Sequence, residues 1–168
     1  MNRVNINKFV RFISYIAFAV YISYLIYYTF LDPSLGRNVI RQEAMHNSAR
    51  VDYVNLVPFK EIKRFISNIG NIRFNIILLN VFGNIIAFVP FGFLLPIMSN
   101  RKLVWWSTIL ISAGASALIE MMQYVTKLGT CDIDDFILNT LGGILGYVCY
   151  RILFLIIDTI YRKRHNLN

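Results

Sequence analysis

Charge is scarce in this chain: Asp, Glu, Lys and Arg make up 15 % of its 168 residues, with two His and two Cys. Cys131 and Cys149 lie on one apolar run, on the order of 27 Å apart if it is helical. That excludes a disulfide between them, and both read as free packing thiols. No HExxH, P-loop or nucleophile-triad pattern occurs, so the enzyme classes those patterns mark are not indicated. Acidic residues are the rarer sign, 9 against 17 basic, for a net charge of +8. The basic residues gather at the edges of apolar runs without any nucleic-acid motif, so nucleic acid is not expected as a partner and lipid head groups are.

What the chain has in quantity is hydrocarbon, with 57 % hydrophobic and 15 % aromatic residues. Runs long enough to cross a bilayer, roughly 20 residues each, occur at about 12–31, 76–97, 103–125 and 133–157. The expected fold is an all-α integral membrane protein, a single domain over 1–168. It comprises a compact bundle of four transmembrane helices plus a short interfacial amphipathic helix in the first external loop. The first run follows Arg3, Lys8 and Arg11, exceeds the h-region of about 7 to 15 residues and precedes no small-x-small site, so it is expected to remain as an anchor.

Orientation follows from that basic N-terminus and from Arg101 and Lys102 in the tight second turn, where the positive-inside bias counts most. Both termini are expected in the cytoplasm. The long connection 32–75 then lies outside, and "VPFKEIKRFISNI" within it reads as the amphipathic helix. Pro58 suits its first turn, Phe59, Ile62, Phe65, Ile66 and Ile69 share one side, and Lys60, Glu61, Lys63 and Arg64 take the other. Whether that apolar side enters the interface or docks on the bundle stays open. His46, before it, reads as a solvated loop residue. In the second span, Pro90 should kink or end the regular helix.

Three spans carry polar stripes: Asn80 and Asn84; Ser116, Glu120 and Gln123; Asp132, Asp135 and Asn139. At 1.5 Å per residue, Asn84 lies about 12 Å in from Ile76, Glu120 about 8 Å from Val125 and Asn139 about 10 Å from Asp132. All three stripes thus enter one layer near one membrane face. Glu120 is the sharpest signal, because a carboxyl within a crossing costs ~2.5–3.5 kcal/mol on insertion scales and is by default a functional candidate. Its alternative is polar glue between helices. Asp132 with Asp135 resembles a capping box, and Asp134, off their stripe, reads first as a cap or solvated residue. Gly142 and Gly146 form a small-xxx-small pair expected to admit a close neighbour, with the third span and its "SAGASA" run as the named partner.

The ordered motifs "NLVPF" (55–59), "NIIAFVPFGFLLP" (84–96), "SALIEMMQ" (116–123) and "DIDDFILNTLGGILGY" (132–147) resemble those of the VanZ-like family of small bacterial membrane proteins. The resemblance spans residues 55–147 and implies a place in the bacterial cell membrane and a link to resistance against teicoplanin and its lipoglycopeptide relatives. It carries over Asn84, Pro90, Gly92, Glu120, Gln123, Asp132, Asp135, Asn139 and Gly142 as motif residues.

Three functions are weighed. The first is a non-enzymatic protein that alters access of drug or lipid-linked cell-wall precursor at the outer leaflet, with Asn84, Glu120, Gln123, Asp132, Asp135 and Asn139 lining a shallow polar pocket. The second is a membrane enzyme acting on a lipid-linked or head-group substrate. Its catalytic candidates are Glu120, Asp132 and Asp135, with a divalent cation held by the hard oxygens of Asp132 and Asp135. Cys131 beside them is a weaker nucleophile candidate. The third, a transporter, would require a homo-oligomer, since four spans without an inverted repeat do not build a path alone.

Overall fold

The computed structural model describes residues 6–31, 54–67 and 74–165. The segment 32–53, with His46, lies outside the described residues, as do 68–73 and the side chains of residues 61, 62, 64, 65, 74–80 (with Asn80) and 165.

Four described helices are long and apolar enough to cross a membrane. The first, α1 (Lys8–Ile26), ends in a π turn, Tyr27–Leu31. A short strand β1 (Val54–Asn55) and helix α2 (Lys60–Ser67) follow. Then come α3 (Phe74–Met98), α4 (Trp105–Thr126), strand β2 (Cys131–Asp132) and α5 (Ile133–His165). The spans fall where the apolar runs place them. At 33 residues, α5 is about 50 Å long, more than the ~30 Å hydrocarbon core needs, and its surplus turns carry Asp158, Arg162, Lys163 and Arg164.

Helix α5 is the centre of the bundle, packed chiefly on α3 and then on α4, while α1 leans on α3 from outside. Glycine sets these distances. A Cβ on Gly142 or Gly146 would overlap the carbonyl oxygen of Ile85 or Val89 on α3, and one on Gly92 would overlap Gly143. The small-xxx-small pair therefore faces α3, not α4 as the sequence led us to expect. The third span meets a different glycine, Gly143, through the Ser112 hydroxyl.

Pro90 and Pro96 both lie inside α3, which runs through them without ending. Pro90 leaves the Ile86 carbonyl without its helical donor, and one residue on, Tyr21 of α1 donates its hydroxyl to the Ala87 carbonyl at 2.6 Å. Around it, Leu25, Phe88 and Phe91 form the buried contact between α1 and α3.

The α3–α4 turn closes one end of the bundle. Arg101 N–H reaches Pro96 O at 2.8 Å and Asn100 N–H reaches Ile97 O at 3.1 Å. This is a Schellman stop in which Asn100, at φ 55°, takes the left-handed position usually held by glycine. The Asn100 side chain accepts the Ile6 N–H at 3.2 Å, and Arg11 and Tyr15 donate to Met98 O, so the start of α1 is tied to this turn. Arg101 forms a two-point pair with Asp158 of α5, at 3.0 and 2.6 Å, with its guanidinium 4.8 Å from the Phe154 ring centre.

At the opposite end, β1 and β2 pair in parallel, Val54 with Cys131 and Asn55 with Asp132. This pairing has no sequence signature. Pro58 and Phe59 form a turn before α2 rather than its first helical turn, and Phe59 sits at φ 63°. On α2, Lys60, Lys63 and Ile66 are exposed, and the helix touches α3 and α5.

Candidate functional site

The polar residues converge where β2 enters α5. Asp132 is the cap of α5: its Oδ1 accepts the Asp134 N–H at 2.8 Å, two residues on. A full capping box would send Asp135 back to the Asp132 N–H. Instead, Glu120 of α4 takes that donor through Oε2 at 2.8 Å, and Asp135 turns to Asn84 of α3, whose Nδ2 donates to Oδ1 at 2.5 Å. The start of α5 is thus capped by its own Asp132 and tied to α4 through Glu120 and to α3 through Asn84.

The remaining Asp132 oxygen, Oδ2, accepts from Asn55 Nδ2 at 2.9 Å. Asn55 Oδ1 in turn receives Lys60 Nζ at 3.5 Å. Asp134, read first as a cap or solvated residue, lies in the first turn of α5 and is 1 % exposed. It accepts the Phe59 N–H at 2.5 Å, so the left-handed turn at Phe59 is held from below by a buried carboxylate. Solvation is therefore excluded for Asp134: β1 and its turn lie over it.

One turn further into the membrane, Asn139 Nδ2 donates to Ser116 Oγ at 3.0 Å. Gln123, also buried, lies against Gly129, and its Oε1 has no hydrogen-bond partner among the described residues. Below Ser116 the stripe of α4 continues through Ser112 and Thr108, both fully buried. Their hydroxyls turn back on their own helix, to Thr108 O and Val104 O. These two are packing residues: the hydroxyl of Ser112 fills the space that Gly143 leaves.

The structure therefore joins Asn84 to Asp135, Glu120 to Asp132 and Asn139 to Ser116, and leaves Gln123 outside that set of bonds. It adds Asn55, Asp134 and the Phe59 backbone, which the polar stripes did not reveal. Asn55 stands in the "NLVPF" motif, the one signal that pointed to its segment. Glu120, Asp132, Asp134 and Asn139 are each at most 8 % exposed, whereas Asn55, Asn84 and Asp135 are partly exposed, so the cluster is buried at its centre and reaches the surface through those three. Among the described residues, no three His, Cys, Asp or Glu side chains converge as a metal site. Asp132 and Asp135 are directed to different donors, which lends the divalent cation considered there no support.

The electrostatics follow from this crowding. Three carboxylates beside the start of α5 gain from its dipole and from charge-assisted bonds to N–H groups. Cys131, at the edge of the cluster, has its thiol pKa raised, first by burial and then by the charges of Glu120 and Asp132. A thiol held protonated in this way is a poor nucleophile.

Comparison with known proteins bears on these same residues. A family model described as VanZ/LLP1 matches residues 18–155, most of the chain. A curated relative, Protein VanZ of Enterococcus faecium, is 31 % identical over 97 residues, which is 58 % of this chain and 52 % of the relative. The chain thus spans about half the length of that curated relative. No solved structure matches.

Proposed function

The chain belongs to the VanZ/LLP1 family, and from that premise we propose that it contributes to low-level resistance against teicoplanin-type (lipo)glycopeptide antibiotics. It would do so without catalysis, by altering the access of drug or lipid-linked cell-wall precursor at the outer leaflet. The observation that carries this reading is the use made of the carboxylates. Glu120, Asp132, Asp134 and Asp135 each accept a hydrogen bond from a backbone or side-chain N–H that ties one element to the next. Such a network builds a shaped surface at one membrane face. The use of each carboxylate as an acceptor between elements is what favours a structural and binding role over turnover.

On that surface Leu56, Val57 and Phe59 are exposed beside Lys60 and Lys63. Apolar residues flanked by lysines at a membrane face suit contact with acyl chains and anionic head groups. The segment that the carboxylates hold is therefore the one suited to meet a lipid-linked partner.

Glu120→Gln tests this reading, because the amide oxygen can still accept the Asp132 N–H while the charge is lost. In a deletion strain, the variant should reach the membrane at wild-type abundance and protect against teicoplanin as the wild type does. Loss of protection at equal abundance would point instead to a working acid at Glu120 and to the enzyme reading. If neither protein changes susceptibility, the resistance role does not extend to this family member.

A further inference from the structure

A second concavity lies on the other side of α3 from the carboxylate cluster. It is an open groove of about 720 Å³ between α1 and α3, with walls that include Tyr21, Tyr24, Tyr28, Phe82, Gly83 and Ile86. Among the described residues, no charged side chain lines it. The register of the two helices is set at both ends: Tyr21 donates to Ala87 O, and the Tyr28 hydroxyl is the nearest group to where a Cβ on Gly83 would stand, at 3.6 Å. Between Phe82 and Pro90 the groove runs about 12 Å along α3, within two segments long and apolar enough to cross the membrane. Asn84 lies in the same stretch of α3, so the groove and the cluster overlap in depth along that helix.

Three observations identify the occupant. The rim residues Tyr24, Phe82 and Ile86 are 63 %, 48 % and 65 % exposed, so the groove is continuous with the surfaces that face hydrocarbon. Those rims are bulky, whereas helices that associate within a membrane meet through small residues. Finally, α1 leaves α-helical geometry in a π turn at Tyr27–Leu31, where Tyr28 meets Gly83. Single π turns are rare and frequent at functional sites.

We propose that this groove holds the hydrocarbon tail of a bilayer glycerophospholipid, with its head group at the face that carries the carboxylate cluster, Lys60 and Lys63. The tail is contacted by both helices and by the Gly83 floor. This deepens the access reading and rests on it only for the consequence that a held lipid shapes what a drug or precursor meets at that face.

The test uses the full chain in phosphatidylglycerol vesicles that contain a phospholipid with a diazirine on one acyl chain. After photolysis, adducts should concentrate on Tyr24, Tyr28, Phe82 and Ile86, several-fold above Leu118 and Val125 on the exposed side of α4. Ile86→Trp, a lipid-facing change that narrows the groove, should reduce the groove adducts several-fold and leave those on α4 unchanged. Adducts spread evenly over all exposed faces, or unchanged by Ile86→Trp, would overturn the proposal. So would cross-links that join two copies through this groove. Susceptibility scored in parallel separates the two ideas. Groove adducts in a wild type that does not protect uphold the lipid site and remove the access reading, while even labelling in a protective wild type does the reverse.

Discussion

Cys131 shows how a single residue reports on the cluster without taking part in it. Its thiol is disfavoured as thiolate by burial first and by Glu120 and Asp132 second. A raised pKa means less thiolate at any given pH, so alkylation should begin at higher pH than for an ordinary thiol near 8.5. In a Cys149→Ala background, the rate of reaction with a small maleimide should rise with pH along a curve displaced upward from that of a free cysteine. Glu120→Gln removes one of the two charges and should move the curve part of the way back. A profile that coincides with free cysteine would mean that Cys131 does not sense the carboxylates. A profile displaced downward would restore it as a nucleophile.

Packing of the helices depends on which glycine faces which backbone. Gly142 and Gly146 abut the Ile85 and Val89 carbonyls of α3, whereas nothing lies within 4 Å of a Cβ on Gly114 of α4. Replacing Gly142 or Gly146 by Ala should therefore destabilise by roughly 1–3 kcal/mol, the usual range for overpacking a tight interface. Gly114→Ala should stabilise by about 0.5–1 kcal/mol through helix propensity alone. Unfolding in a denaturing detergent titration reads all three. Equal midpoints for the three variants would contradict the close α3–α5 contact. The same glycines mark how far the sequence reaches at this scale. A small-xxx-small pair announces a close approach but carries no label for its partner, and the small residues of α4 drew the assignment that belongs to α3. Pro90 was read as a kink or an end because the rule concerns its own backbone; that α3 continues, with Tyr21 bonded to the neighbouring Ala87 carbonyl, depends on packing that no local pattern records. The β1–β2 pair was illegible for a different reason, since two residues per strand leave no period to detect. What was legible were the features that repeat: runs of about 20 apolar residues, and polar side chains every three to four residues along α3, α4 and α5. These put Asn84, Glu120, Asp132, Asp135 and Asn139 in one layer, but missed Asn55 and Asp134, whose partners lie in a non-helical segment.

The whole molecule has two unlike ends. One carries the carboxylate cluster, β1–β2 and the turn at Phe59; the other carries the α3–α4 turn, tied to α1 through Asn100 and Met98 and to α5 through Arg101 and Asp158. Arg101 has its pKa raised, chiefly by its hydrogen bond to Asp158, so it remains charged. With Lys102 exposed beside it, this end presents basic charge in a connection of a few residues, the situation in which positive charge holds a loop in the cytoplasm. The access reading requires that orientation, because a drug that acts outside the cell can only meet the cluster if the cluster faces out. Cysteines at Leu128 and Lys102, both exposed and at opposite ends, decide the matter in a background that lacks Cys131 and Cys149. A membrane-impermeant maleimide added to intact cells should label Leu128→Cys, and should label Lys102→Cys only after the membrane is opened. The opposite pattern would place the carboxylates in the cytoplasm and remove the outer-leaflet reading, while leaving the fold, the shared layer of polar residues and the lipid groove as they are. That independence is physical: inverting the protein in the bilayer moves the cluster and the groove together, because both are fixed to α3.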